Sequence, residues 1–185
     1  MIMIMTMWTP AFAADETGTI TINKVGENTT YSIYKLLDLE SYNTATGAYS
    51  YKVAAGWEDF FETETALQHV KIDDNGYVTW IASEENSVVA EFAKTALQYA
   101  KDNGIDPEKS SADEGEFTVA THPETGNVYG VFSDLELGYY LVDTTMGALC
   151  GLTTTNPDAS VNAKNGTPTI DKQGKKDGTN QWTDS

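Results

Sequence analysis

The chain predicts a mainly β, α+β domain: a β-sandwich with one long inserted helix. Short stretches of alternating apolar and polar residues recur along it, beginning with Thr19-Ile20-Thr21-Ile22. Turn-forming clusters such as Asp73-Asp74-Asn75-Gly76 and His122-Pro123-Glu124-Thr125-Gly126 punctuate them. One segment, residues 83–103, instead spaces its apolar residues for a helix.

The elements follow in order. Residues 17–25 alternate with Ile20, Ile22 and Lys24 on one face, and Gly26-Glu27-Asn28 leads to a second strand over 31–37. A short helix is expected across 57–67. The Asp73–Gly76 cluster turns the chain into a strand over 77–81. Ser83 caps a helix whose apolar positions are Val88, Val89, Phe92, Ala93, Ala96, Leu97 and Ala100; Gly104 stops it and Pro107 follows. Residues 116–121 and 127–132 form a hairpin, 139–146 and 150–155 pair around Gly147, and 160–165 is the last strand.

The 185 residues suffice for one domain with a proper core. Net charge is −17, from 28 acidic residues against 11 basic ones, all of them lysine. Such a surface repels phosphate backbones and anionic lipid, which argues against nucleic-acid or membrane partners for the mature form. The single cysteine, Cys150, excludes an internal disulfide.

Residues 1–14 carry no charge. Met1 to Trp8 reads as an apolar h-region and Ala11-Phe12-Ala13 as an A-x-A cleavage site, with no positive n-region before it. Pro10 ends an apolar run too short to span a bilayer. The expected organisation is a partial signal peptide over 1–14, a domain over 15–165, and a linker with the truncated start of a second domain over 166–185. An exported chain without disulfides must draw robustness from elsewhere.

Two lysines mark the ends of the central domain. Lys24 falls by alternation on the apolar face of the first strand, where an ammonium is costly unless paired or neutral. Lys164 falls on the outward face of the last strand, opposite Val161 and Ala163. Placements so different suggest two tasks: an internal cross-link for Lys24 and a point of attachment for Lys164. As an alternative, Lys164 is a solvated edge lysine that discourages strand pairing.

Several segments together resemble a known family. Gly18-Thr-Ile-Thr-Ile-Asn-Lys24 with Tyr31-Ser-Ile-Tyr-Lys-Leu-Leu37 looks like the opening of a Cna-B-type domain. Leu137-Gly-Tyr-Tyr-Leu-Val-Asp143 resembles that family's Gly-x-Tyr-x-Leu-x-Glu strand, and Pro168-Thr-Ile-Asp-Lys172 the start of a following domain. Over residues 15–172 the chain is similar to the N-terminal domain of a Gram-positive, sortase-assembled backbone pilin of the Cna-B/SpaA type. Of the family's Trp-x-x-x-Val-x-Val-Tyr-Pro-Lys motif only Val161, Lys164 and the trailing Asn165 remain; Thr155, Ala159, Asn162 and Ala163 stand at the other positions.

The resemblance implies an Ig-like or Cna-B-like sandwich and a structural, non-enzymatic role. A class C sortase would join Lys164 to the C-terminal threonine of another copy, with minor or tip pilins as further partners and a cell-surface pilus anchored to the cell wall as the location. The sortase thioester needs an amine nucleophile, and an exposed lysine, with a reference pKa of about 10.4, must be deprotonated by the enzyme. Lys172, Lys175 and Lys176 are rival acceptors. The resemblance also implies an amide bond between Lys24 and Asn165, with Asp143 as its proton shuttle, kept protonated by burial. A Lys24–Asp143 ion pair and an exposed Lys24 remain alternatives. The other reading of the chain is a cell-surface adhesin domain for a host glycan or matrix protein.

Other groups carry less. His69 and His122 lack partners at metal-ligand spacing and read as surface residues, with no metal or cofactor expected. Asp73-Asp74-Asn75-Gly76 and Asp102-Asn103-Gly104 lack the ligand register of a calcium loop and read as turns. Glu84, Glu85, Asp134 and Glu136 have no aromatic sugar platform beside them to support glycosidase chemistry. Cys150 is expected in a buried strand.

Overall fold

The computed structural model describes residues 16–43, 46, 48–81, 86–144 and 148–163. Lys164, Asn165, Lys172, Lys175 and Lys176, the expected leader over 1–14 and the expected linker over 166–185 lie outside these residues, as does the expected cap Ser83.

The fold is mainly β, with eleven strands in two sheets among the described residues. Strands β1 (Thr17–Asn23), β7 (Thr118–Thr121), β8 (Val128–Glu136) and β11 (Asp158–Asn162) form the smaller sheet in the order β11-β1-β8-β7. The larger sheet runs β10-β9-β2-β3-β5-β4, built from β2 (Ser32–Asn43), β3 (Ala48–Val53), β4 (Val70–Ile72), β5 (Tyr77–Trp80), β9 (Gly138–Val142) and β10 (Ala148–Leu152). A two-residue strand β6 (Lys109–Ser110) pairs with the start of β2.

Alternation divides the core in two. Ile20 and Ile22 of β1 meet Ile33, Tyr140, Val142, Cys150 and Leu152 from the larger sheet, and Ala159, Val161 and Ala163 complete this inter-sheet layer. The other face of the larger sheet presents Tyr34, Leu36, Leu141 and Leu149 to the helices. These are α1 (Glu58–Phe61), α2 (Glu64–Leu67) and α3 (Asn86–Asn103). On α3, Phe92, Ala93, Ala96, Leu97 and Ala100 are all buried, the stripe that helical spacing predicts. Gly104, at φ 65°, ends α3 as its spacing predicts, and Ile105 N–H donates to the Ala100 carbonyl at 2.9 Å.

Where expectation and structure differ, local reasons are visible. The single helix over 57–67 is two, because Thr63 adopts an extended ψ of 148° and its hydroxyl accepts from Ala66 N–H, capping a new start. Strand β2 runs on to Asn43, and its bulge against β9 between Lys35 and Leu37 lets Leu36 and Leu37 enter the same core consecutively. Strands β3, β4 and β6 were not expected; the tyrosines of β3 hold its place, with Tyr49 stacked on Tyr42 at 4.6 Å.

Candidate functional site

The first and last strands lie side by side. β1 and β11 pair in parallel, Thr19 opposite Asp158 and Asn23 opposite Asn162. Two hydrogen bonds frame the ladder, Thr19 N–H to Pro157 O and Ala163 N–H to Asn23 O, each 3.0 Å. Thr19 Oγ1 also donates to Asp158 Oδ1 at 2.7 Å. Gly18 permits the approach: a Cβ there would overlap the Pro157 carbonyl oxygen. Along β11 and the residue after it, Ala159, Val161 and Ala163 are buried, Ser160 is exposed and Asn162 half-buried. This alternation matches the parity expected for the stretch that leads to Lys164.

Lys24 leaves the inward face that alternation assigns it and takes the exposed alternative. β1 ends at Asn23, and Lys24 follows at φ 58°, a left-handed turn residue with its side chain exposed. The turn breaks the alternation that would have put it beside Ile20 and Ile22. Val25 N–H then continues to the Val128 carbonyl at 3.1 Å. Lys24 borders a hollow of about 240 Å³ together with Asn23, Asn162, Tyr129 and His122. It forms no ion pair among the described residues.

Asp143 lies elsewhere. It follows β9 with the parity of Tyr139 and Leu141, which pack on the helical side, whereas Ile20 and Ile22 belong to the inter-sheet core. Its N–H donates to the Ser32 carbonyl at 2.8 Å, and its carboxylate meets Lys101 of α3 at 3.1 Å. The side chain keeps 26% of its surface exposed. The structure pairs Asp143 with Lys101 and not with Lys24, which lies exposed in the turn after β1.

Asp143 instead borders a cleft of about 550 Å³ between α3 and the loop joining β1 to β2. Lys94, Leu97, Gln98 and Lys101 form one wall, Thr29, Thr30 and Tyr31 another, and Ala163 reaches it from the end of β11. The residue that precedes Lys164 in the chain thus borders the same cleft as Asp143.

The buried lysine that alternation places on the inner face is Lys35, not Lys24. Its side chain is 9% exposed, with the ammonium 2.6 Å from both Asp38 and Glu136. Burial works to lower its pKa, but the hydrogen bonds and charges of Asp38 and Glu136 outweigh that, and the net shift is upward. The hydrogen bond from Lys35 holds Glu136 below the usual carboxylate range. The signal was present in the sequence, since Tyr31, just before β2, shares parity with Ile33 and Lys35 on it.

The remaining groups are structural. His69 is half-buried and meets the Phe92 ring edge-on at 5.4 Å; His122 is exposed in its turn. Asp73 Oδ1 accepts from the N–H groups of Asn75 and Tyr77, each at 2.9 Å, which makes the Asp73–Gly76 cluster a turn. Cys150 is buried on β10, the setting expected of it. Among the described residues no cluster of three or more His, Cys, Asp or Glu side chains forms a metal-binding group.

Compared with protein-family models, curated proteins and solved structures, the chain finds no match.

Proposed function

We propose that this chain is the N-terminal domain of a structural subunit in a covalently polymerised Gram-positive pilus, of Ig-like or Cna-B-like type, with Lys164 as the amine that a class C sortase joins to the preceding copy. The observation that carries the reading is the parallel β1–β11 ladder, whose last described residue, Ala163, is buried and bonded to Asn23. The ladder supports the reading up to Ala163, and the sequence alternation of Val161 and Ala163 expects Lys164 on the outward face that a foreign enzyme requires. A nucleophile for an external thioester must be reachable and must be held near its target, which is what this reading requires of Lys164.

The internal Lys24–Asn165 amide has no place in this reading. Lys24 is exposed in the turn after β1, and the carboxylate expected to catalyse the step is bound to Lys101.

The test is Lys164→Ala in the complete subunit, co-expressed with the sortase. High-mass ladders are expected to vanish on denaturing gels. Ladders that persist would move the acceptor to Lys172, Lys175 or Lys176, and ladders that survive loss of all four lysines would end the pilin reading.

A further inference from the structure

We infer that the cleft between α3 and the β1–β2 loop seats an extended, carboxylate-bearing segment of a second copy of this chain. Its volume, about 550 Å³, suits a few residues of peptide. The cleft is the wrong sign for the molecule around it. The chain carries −17, yet the charged side chains on the cleft wall are Lys94, Lys101 and Asp143, a local excess of one positive charge. Lys101 is already bound to Asp143 at 3.1 Å, while Lys94 is exposed and forms no ion pair among the described residues. An incoming carboxylate would take Lys94 directly and share Lys101. Across the cleft, the hydroxyls of Thr29 and Thr30, with that of Thr144, border the same space and offer hydrogen bonds.

The occupant follows from charge and from chain path. Residues 164–185 contain Lys164, Lys172, Lys175 and Lys176 against Asp171, Asp177 and Asp184, so this stretch brings no net negative charge to the lysines. A second copy offers carboxylates in abundance, with 28 acidic residues. Two such copies repel at a distance, so a contact between them needs a local site of opposite sign to fix its register. The choice of a second copy rests on the pilin reading, in which a neighbour must approach the residue directly after Ala163.

Two measurements test this. The isotope-labelled chain is titrated with a hexaglutamate peptide while amide and side-chain signals are followed by NMR. Saturable shifts confined to Thr30, Lys94, Gln98 and Thr144 are expected, weakening as salt is raised and lost in Lys94→Glu. Lys94→Ala, at an exposed position without an ion pair, keeps the fold and is expected to weaken the same shifts several-fold. Shifts scattered over the surface, or unchanged in Lys94→Glu, overturn the cleft as the binding site. In the sortase ladder assay, Lys94→Glu is expected to slow ladder growth several-fold while Lys164→Arg abolishes it. Ladders at the normal rate in Lys94→Glu overturn the second copy as occupant. Ladders that persist in Lys164→Arg count against the acceptor assignment, whereas the peptide titration reads the cleft independently of it.

Discussion

Lys24 and Lys35 show how much one backbone angle decides. Both satisfy the same alternation rule with inward-facing isoleucines before them. Lys24 escapes because its φ of 58° ends the strand; Lys35 obeys because β2 continues past it, and so it had to find Asp38 and Glu136. A left-handed turn at a lysine leaves little trace in sequence, since the residues that favour that region are Gly, Asn and Asp. Lys35→Met is expected to cost about 1–3 kcal/mol of folding stability, read from urea midpoints, because it leaves two carboxylates facing each other without their cation. The pH dependence has a definite sign. Lys35, raised on folding, contributes fully below the ordinary lysine range and loses its contribution as pH climbs through the folded value. Glu136, lowered on folding, contributes above the ordinary carboxylate range and loses its contribution as pH falls through the folded value. The pair of shifts therefore supports the fold most between about pH 5 and 10, and stability curves of Lys35→Met should be flatter than wild type at both ends of that window.

At the scale of elements, strongly periodic or turn-flanked segments were legible. α3, the β7–β8 hairpin and the β9–β10 pair lie where apolar spacing and glycine-rich turns put them. The split between α1 and α2 was not, because Thr63 fits a helix interior in composition and acts as a cap only through its extended ψ. β4 is three residues long, too short for periodicity to register. Among the strand contacts, the approach of β1 to the chain before β11 is the least forgiving. Gly18→Ala is expected to destabilise by about 1–3 kcal/mol, because the obstacle is the Pro157 backbone oxygen and not a side chain that can turn away. Thermal melts should show the loss, and amide exchange should quicken first in residues 158–162. A melting temperature equal to wild type would mean the two segments separate at no cost.

For the whole molecule, chain order separates two ideas that the sequence allowed together. On the proposed reading, a join at Lys164 would send tension from that residue toward the C-terminus of the subunit and leave residues 16–163 beside the line of pull. A covalent tie from Lys24 would strengthen a segment that carries no tension. The exposed amine agrees with this, and the intact mass of the purified chain should equal the sequence mass after any leader is removed. A deficit of about 17 Da, one ammonia, would establish an amide despite the geometry. The sequence could pair an outward lysine with an inward one by counting residues. It could not show which face of the larger sheet Asp143 would take relative to β1, because that depends on how three layers stack.

The neighbour that completes β1 on one side comes from the far end of the domain, with Thr19 lying against Asp158. During synthesis the opening strand must wait for roughly 140 residues before that partner exists. Until then its outer backbone groups stay open to water, and final closure is delayed to the last moment. Without Asp158–Asn162, β1 would have β8 as its one neighbour in the smaller sheet, and Ile20 and Ile22 would lack the cover of Ala159 and Val161.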